Sequence, residues 1–243
     1  MSGCALSIRD IHVSYGPRKV LDGLSLDVPC GEMFGLMGLN GVGKTTMIKS
    51  VIGLRDPDSG RIDILGADRL SMQSKRQLAY LPERFDPPWF LTGIEFIKFS
   101  LRLYRAPFVL SEVESSAAQL ALDPAALRNR VQTYSKGMRQ KLGLLATLLT
   151  GCPFLILDEP MSGLDPRARA YVKDMLRTVK GQGRTVFLSS HILSDMYELC
   201  DRVVVLHDRK FCYEGTPAGL CDYGQSDNIE RAFLNVIDGR TAA

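Results

Sequence analysis

The spacing of apolar and polar positions predicts a β-rich opening followed by buried strands. Two short runs rich in β-branched residues, 5–13 and 24–28, flank the turn Tyr15-Gly16-Pro17 and predict an antiparallel hairpin. Three later runs are apolar without alternation, which is typical of parallel strands covered on both faces: 33–37, 154–157 and 185–188. We expect these three strands to share one sheet, with a site at their carboxyl ends.

Helical periodicity dominates between the first two of these buried strands, where the strand signal is weak. The helical patterns cover residues 93–104, 111–122 and 135–149, which predicts an inserted helical subdomain over about 84–150. The tail predicts a β-hairpin from 202–206 and 210–214, then helices near Ala218 and over 228–236, within a region of about 202–238. The order of elements predicts an α/β fold in one domain over residues 1–243.

Composition and charge exclude several classes of protein. The chain has 243 residues, of which 45% are hydrophobic and 23% charged, so we expect a folded globular protein. The net charge is +3 and no polybasic run occurs, so no nucleic-acid partner is expected. The apolar stretches are too short to span a membrane and no signal peptide is recognised, which predicts a cytoplasmic protein. Six scattered cysteines without a CxxC pair argue against zinc, iron–sulfur and disulfide sites.

A glycine-rich segment directly after the first buried strand has the pattern GxxxxGK[ST] and precedes a helical run over residues 45–53. Its glycines let backbone N–H groups face a polyphosphate, and the helix N-terminus adds its dipole. Lys44 is predicted to reach the β and γ phosphates, and the Thr45 hydroxyl to ligate magnesium. The predicted ligands are ATP or a similar triphosphate and Mg²⁺, bound by Gly38, Leu39, Asn40, Gly41, Val42, Gly43, Lys44, Thr45 and Thr46.

Two adjacent carboxylates, Asp158 and Glu159, follow the second buried strand. Carboxylates at the end of a buried strand are costly unless they are paired or used. Asp158 suits magnesium, directly or through water, and Glu159 can accept the proton of an attacking water as a catalytic base. The alternative is that both are helix-capping acids at a strand exit, although the preceding phosphate loop favours the first interpretation.

A further motif resembles the signature of ATP-binding cassette (ABC) ATPases: Tyr134-Ser135-Lys136-Gly137-Met138-Arg139-Gln140. The resemblance extends over nearly the whole chain, through Tyr15, the phosphate loop, Asp158-Glu159, Ser162-Gly163-Leu164-Asp165 and Ser189-Ser190-His191. It implies a P-loop NTPase with the ABC ATPase core, which has a mainly parallel central sheet, an N-terminal antiparallel β-subdomain and an inserted helical subdomain.

The resemblance also implies roles for single residues. In that family the aromatic ring at the position of Tyr15 stacks on adenine, the histidine at His191 binds the γ-phosphate, and the aspartate at Asp165 contacts the opposite subunit. The signature contacts the ATP held by the partner, here through Ser135, Lys136, Gly137 and Met138.

The residues themselves support part of this assignment and leave alternatives. Ser135 is a good helix N-cap, and Met138 begins an apolar helical stripe with Leu142, Leu145 and Leu149, so core packing of Met138 is the favoured interpretation. His191 could be a histidine satisfied at a strand end, but its place after a third buried strand favours a role beside the phosphates.

Two features depart from the commonest ABC pattern. Lys136 and Met138 replace a Gly and a Gln of the usual signature, and Glu83 stands where most members have a magnesium-contacting Gln. Such variants resemble the ATPase subunits of exporters for drugs, sodium or polysaccharides. A carboxylate at Glu83 can still accept magnesium or a water. Downstream, Trp89 lies in a loop suited to docking a partner helix, and packing of Trp89 in the core is the alternative.

The resemblance therefore implies an ATPase subunit of a membrane exporter. Two such subunits, most simply a homodimer, would close head to tail around two ATP molecules. Separate transmembrane permease subunits would hold them at the inner face of the cell membrane. The alternative is a soluble ABC ATPase that acts in cofactor or complex assembly without transport. A small-molecule kinase or GTPase would leave His191 and the signature unexplained.

Overall fold

The computed structural model describes residues 3–240. The strands are β1 (Cys4–Tyr15), β2 (Arg18–Pro29), β3 (Met33–Met37), β4 (Ser59–Ile64), β5 (Ala67–Asp68), β6 (Leu78–Leu81), β7 (Phe154–Asp158), β8 (Thr185–Ser189), β9 (Arg202–His207) and β10 (Lys210–Gly215). The α-helices are α1 (Lys44–Val51), α2 (Met72–Gln77), α3 (Gly93–Leu103), α4 (Leu110–Gln119), α5 (Lys136–Leu148), α6 (Pro166–Gly181), α7 (Leu193–Leu199), α8 (Pro217–Tyr223) and α9 (Ile229–Ile237).

The N-terminal sheet is antiparallel and has the strand order β2-β1-β4-β5. It contains the predicted hairpin, whose strands are longer than the apolar runs indicated. The sequence shows little strand signal after the phosphate loop, but strands β4 and β5 lie in that segment. In β4 the buried positions are Ile62 and Ile64, which pair with Ile8 and Leu6 of β1. The polar start of β4 leaves only these two apolar positions, which is too few to produce a period-two pattern.

The central sheet has the order β10-β9-β3-β8-β7-β6. The pairs β9–β3, β3–β8, β8–β7 and β7–β6 are parallel, and β10 joins antiparallel at one edge. Every residue of β3, β7 and β8 is buried, which confirms the three predicted strands and their common sheet. Strand β6, which lies next to β7 at the other edge of this sheet, was not predicted, because its four residues cannot be distinguished from a buried turn of helix in the sequence.

The helices over the middle of the chain follow the predicted patterns. The Thr92 hydroxyl and the Glu95 carboxylate form a capping box at the start of α3. The Ser135 hydroxyl caps α5 by accepting a hydrogen bond from the Met138 N–H at 3.2 Å. Met138 packs against the core, as the apolar stripe predicts. Trp89 is 64% exposed, which contradicts the alternative that this side chain fills the core.

The two faces of the central sheet contribute to different hydrophobic cores. One core lies between this sheet, α1 and the antiparallel sheet, and it contains Phe34 and Phe187, whose stacked rings lie 6.0 Å apart. The other core packs alternate residues of the same strands, such as Met33 and Val186, against the remaining helices. Residues 3–240 include no helix with both the length and the apolar composition that crossing a bilayer requires.

The central stack predicts a large cost for truncating one of its rings. Phe187→Ala should lower the free energy of unfolding by about 3–5 kcal/mol, because Phe187 is fully buried and its loss leaves a cavity. Denaturant unfolding of the purified chain measures this as a lower midpoint at an unchanged slope. The matched control is Phe99→Ala on the exposed side of α3, which should change stability by less than about 0.5 kcal/mol. Equal shifts in the two variants would contradict the proposed packing.

Candidate functional site

A cavity of about 510 Å³ opens at the carboxyl ends of the parallel strands. It brings together most of the residues that the sequence predicts for the site: Tyr15, Asn40, Gly41, Gly43, Lys44, Thr45, Thr46, Glu83, Asp158, Glu159 and His191. The remaining predicted residues do not line the cavity: Gly38, Leu39 and Val42 of the same loop, and Ser135, Lys136, Gly137, Met138 and Asp165.

The phosphate loop has the backbone that its glycines predict. Gly41 and Gly43 have φ of +77° and +119°, conformations that side chains with a Cβ rarely adopt. A Cβ at Gly38 would lie 2.8 Å from the Leu206 carbonyl oxygen, so only glycine fits there. No side chain caps α1, and within residues 3–240 the N–H groups of Gly43 to Thr46 donate no hydrogen bond. These free donors at a helix N-terminus form a binding site for an anion.

The Lys44 side chain is folded over this loop. Its Nζ donates to the carbonyl oxygens of Gly38 at 2.7 Å and Leu39 at 3.3 Å, two loop residues that do not themselves line the cavity. Burial lowers the pKa of Lys44, and the negative charges of Glu159, Asp158 and Glu83 oppose this shift. The loop therefore holds a partly desolvated ammonium group beside the cavity.

The Asp158 carboxylate is almost completely buried at the end of β7. It accepts hydrogen bonds from the Ser189 hydroxyl at 2.5 Å and from the Thr45 hydroxyl at 3.3 Å. Burial raises its pKa and the charge of Glu83 adds to this, while the two hydroxyl donors act in the opposite direction. Asp158 caps no helix: the next helix, α6, is capped by Asp165. The capping alternative is therefore wrong.

Glu159 leaves the strand in an unusual conformation. Its φ is +50°, a backbone conformation that costs a residue with a side chain about 1–3 kcal/mol. Its N–H donates to the Ser189 carbonyl oxygen at 3.2 Å, and its carboxylate lies 2.7 Å from the His191 Nδ1. His191 itself is half-exposed and lines the cavity, where its ring is bonded to Glu159.

The oxygen atoms on this side of the cavity suit a hard cation. Within residues 3–240 no group of three or more His, Cys, Asp and Glu side chains could by itself hold a metal ion. Magnesium, however, usually binds one or two carboxylates together with waters and the phosphates of its substrate. Thr45 supplies a hydroxyl, and Asp158 and Glu83 supply two carboxylates. Burial disfavours the negative charge on Asp158, and a cation bound there would compensate that charge. These residues therefore fit a bound Mg²⁺.

The signature segment lies outside the cavity. Ser135 and Lys136 are exposed at the start of α5, and Lys136 crosses Gly163 so closely that a Cβ there would lie 3.1 Å from the Lys136 Cε. Gly163 belongs to the loop that ends at Asp165, whose Oδ1 accepts from the Ala168 N–H at 2.9 Å. The signature and this loop thus pack together on the surface, away from the phosphate loop of the same chain.

The sequence did not predict three residues of the site. Arg18 and Val20 line the cavity from the start of β2, and Ser189 binds Asp158 from the next strand. Arg18 could have been found, because it directly follows the predicted turn and pairs with Tyr15 across the hairpin. The contact of Ser189 depends on the register between β7 and β8, which no local signal predicts.

Comparison with known sequences identifies the family. Residues 21–162 match the sequence profile of a family described as ABC transporter. The chain is 36% identical over 225 residues to the Nod factor export ATP-binding protein I of Rhizobium meliloti (strain 1021), an alignment covering 90% of this chain and 66% of that protein. It is 35% identical over 202 residues to an uncharacterized ABC transporter ATP-binding protein of Nostoc sp. (strain PCC 7120 / SAG 25.82 / UTEX 2576), covering 81% and 59%. The chain thus spans less than two thirds of the length of these relatives.

The fold leads to the same family. It is similar to a solved structure described as the ATP binding subunit of an ABC transporter, with a TM-score of 0.88 and 30% sequence identity. The match covers 96% of this chain and 99% of the other. The chain therefore belongs to the ABC transporter family and carries the ATPase domain of that family.

Proposed function

We propose that this chain is the ATP-hydrolysing subunit of a membrane exporter. Two copies close head to tail around two ATP molecules, and hydrolysis lets them separate again. Because ATP contacts both chains only in the closed pair, ATP binding favours closure. The movement is transmitted to separate transmembrane permease subunits, which hold the chain at the inner face of the membrane. The relatives named for Nod factor export support the export direction.

The observation that carries this proposal is the separation of the two halves of the expected ATP site. The phosphate loop lines the cavity, whereas Ser135 and Lys136 are exposed outside it. The Ser135 hydroxyl already caps α5, so the start of this helix is ordered without a ligand. A second chain that places its own signature over the cavity completes the site, with Gly137 and Met138 beside the phosphates and Asp165 at the contact between the chains.

Within one site the residues of this chain have separate roles. Tyr15 stacks on the adenine, and the free N–H groups of the loop and Lys44 bind the phosphates. Thr45, Asp158 and Glu83 hold Mg²⁺, which supplies positive charge to the phosphate oxygens when it is bound. Glu159 accepts the proton of the attacking water. His191 orients the Glu159 carboxylate and contacts the γ-phosphate.

Transport requires a surface for the permease, and an exposed apolar patch supports this. Trp89 and Phe90 lie together in the loop before α3, with their rings 5.7 Å apart. Both side chains are more than half exposed. Exposed apolar patches of this kind often mark sites of protein association. The cytoplasmic helix of a permease subunit is the occupant we propose for this patch.

Purification from detergent extracts of the source cells tests the transport proposal. The tagged chain should copurify with a protein that has several transmembrane spans. Trp89→Ala should reduce the amount of this membrane protein recovered with the chain at least severalfold, because the substitution removes a large exposed side chain from the contact. Exposed Tyr197→Ala on α7 is the control, since it lies outside this patch. Recovery of soluble partners alone would favour the alternative of a non-transport ABC ATPase.

The two carboxylates should behave differently when each is replaced by its amide. Glu159→Gln keeps the shape but removes the base, so the rate of phosphate release should fall by about 10²–10⁴-fold while ATP binding survives. Unhydrolysed ATP should then trap a dimer in Mg-ATP, seen by size-exclusion chromatography of the chain without permease. Asp158→Asn weakens the Mg²⁺ site and should prevent this trapped dimer from accumulating.

Two results would contradict this division of roles. Turnover of Glu159→Gln near that of the unaltered chain would exclude the residue as the base. Equal trapping of dimers by both variants would show that Asp158 and Glu159 do not differ in function. Glu95→Gln, in the capping box of α3, is the matched control and should leave turnover unchanged.

The head-to-tail arrangement predicts complementation between two inactive variants. Lys44→Ala disables the phosphate loop, and Ser135→Arg blocks the signature. In a mixed dimer one site combines the intact loop of one chain with the intact signature of the other, so an equal mixture should recover about a quarter of the normal ATPase activity. Replacing the Ser135→Arg partner by the double variant Lys44→Ala/Ser135→Arg is the control, because no intact site can then form. Absence of recovery in the first mixture would contradict the arrangement.

A further inference from the structure

Arg55 is a charged residue next to the cavity that the proposed mechanism does not use. It lies in the loop between α1 and β4, and its guanidinium carbon is 4.8 Å from the centre of the Tyr15 ring. Its Nη2 donates to the Ser14 carbonyl oxygen at 2.6 Å. Tyr15 lines the cavity and Arg55 does not, so the guanidinium supports the ring from outside the nucleotide space.

Tyr15 has little other support. It is the last residue of β1, its side chain is about half exposed, and it is not packed against either hydrophobic core. An exposed aromatic side chain at a strand end can change rotamer. A cation on its face is attracted to the ring and favours one orientation. The contact with Arg55 therefore selects the position of the ring before a nucleotide binds.

Arg55 is itself fixed to the end of the phosphate-loop helix. The N–H groups of Leu54 and Arg55 both donate to the Lys49 carbonyl oxygen in α1, at 2.9 and 3.1 Å. The other side of the loop is bound to β1, where the Asp58 N–H donates to the His12 carbonyl oxygen at 2.7 Å. Helix α1 thus joins the phosphate loop at its N-terminus to the support of Tyr15 near its C-terminus.

An ion pair between the buried side chain of Arg69 and the exposed carboxylate of Asp56 also binds this loop. Arg69 is 8% exposed, and its Nη2 lies 2.7 Å from the Asp56 carboxylate. Asp56 is the direct neighbour of Arg55, so this pair restrains the backbone that carries the guanidinium. The loop backbone is therefore bound at α1 and at β1, and the Arg55 side chain that extends from it is held over the ring by its hydrogen bond to the Ser14 carbonyl oxygen.

We infer that Arg55 is a positioning residue for the nucleotide base: it holds the Tyr15 ring at a fixed distance from the phosphate loop, so that the base of ATP stacks on a ring that is already in place. This inference rests on the proposed function, in which Tyr15 stacks on adenine. Pre-ordering a side chain removes part of the entropy cost of binding. The contribution of Arg55 is thus specific to ligands that have a base.

The test compares two ligands that share phosphates but differ in the base. ATP and inorganic tripolyphosphate are titrated into the purified full chain by calorimetry, both with Mg²⁺. Arg55→Met keeps the length of the side chain and removes the guanidinium. It should raise the Kd for ATP about three- to tenfold, in line with the strength of a partly exposed cation–π contact, and leave the Kd for tripolyphosphate unchanged. Arg55→Lys retains the charge without the planar guanidinium, so its Kd for ATP should lie between those of the unaltered chain and Arg55→Met.

A double-variant cycle tests whether Arg55 acts through the ring. Tyr15→Leu alone should weaken ATP binding, and adding Arg55→Met should weaken it no further. Arg61→Met is the matched control: Arg61 lies on β4 of the same sheet, pairs with Asp63 on the surface and does not line the cavity. Its affinity for both ligands should equal that of the unaltered chain.

The possible failures are distinguishable. An equal loss of affinity for ATP and tripolyphosphate in Arg55→Met would mean that the residue only stabilises the fold, and would overturn the inference. An unchanged Kd for ATP would also overturn it, while leaving the proposed function intact. An unaltered chain that binds neither ligand would contradict the proposed function itself.

Discussion

The parallel register of β3, β8 and β7 is the constraint on which the whole site depends. Leu36 pairs with Ser189, and Ser189 pairs with Asp158, so the three strands end at the same level. The phosphate loop, His191 and the two carboxylates follow these strands and therefore meet at one edge of the sheet. The hydrogen bond from the Ser189 hydroxyl to Asp158 joins two of the strand ends directly. The stacked rings of Phe34 on β3 and Phe187 on β8 stabilise this register in the core on one face of the sheet.

Those parts of the molecule whose signal is local could be predicted from the sequence. A run of four or five residues that are almost all apolar predicts a strand covered on both faces. The glycine pattern of the phosphate loop carries its own backbone requirement, which Gly41 and Gly43 meet with positive φ. The predicted cap Ser135 accepts a hydrogen bond from an N–H only three residues away. Because these signals need no knowledge of distant partners, the three buried strands, the two hairpins and the helices of the middle segment could be predicted, and most of the predicted site residues line one cavity.

The features that were missed depend on contacts between distant parts of the chain. Strand β6 has only four residues and is defined by its pairing with β7, which lies far along the sequence. Ser189 belongs to the segment Ser189-Ser190-His191 that carries the family resemblance, but its contact with Asp158 follows from the register of two strands. Arg55 is one of many surface arginines until the loop that carries it is folded against Tyr15. Propensity and periodicity describe segments, and these contacts lie between segments.

The backbone at Glu159 explains how two adjacent carboxylates can both face one cavity. In a continuing strand, consecutive side chains point to opposite faces, so a straight β7 would direct Glu159 away from the side that Asp158 occupies. A positive φ at Glu159 ends this alternation, and both side chains line the cavity. The strained turn is compensated locally, because the Glu159 N–H bonds to the Ser189 carbonyl oxygen and its carboxylate bonds to His191. Asp158, in contrast, is held by two hydroxyl groups and is more deeply buried. One dipeptide thus provides two carboxylates with different environments, and this difference is the physical basis for giving them different roles.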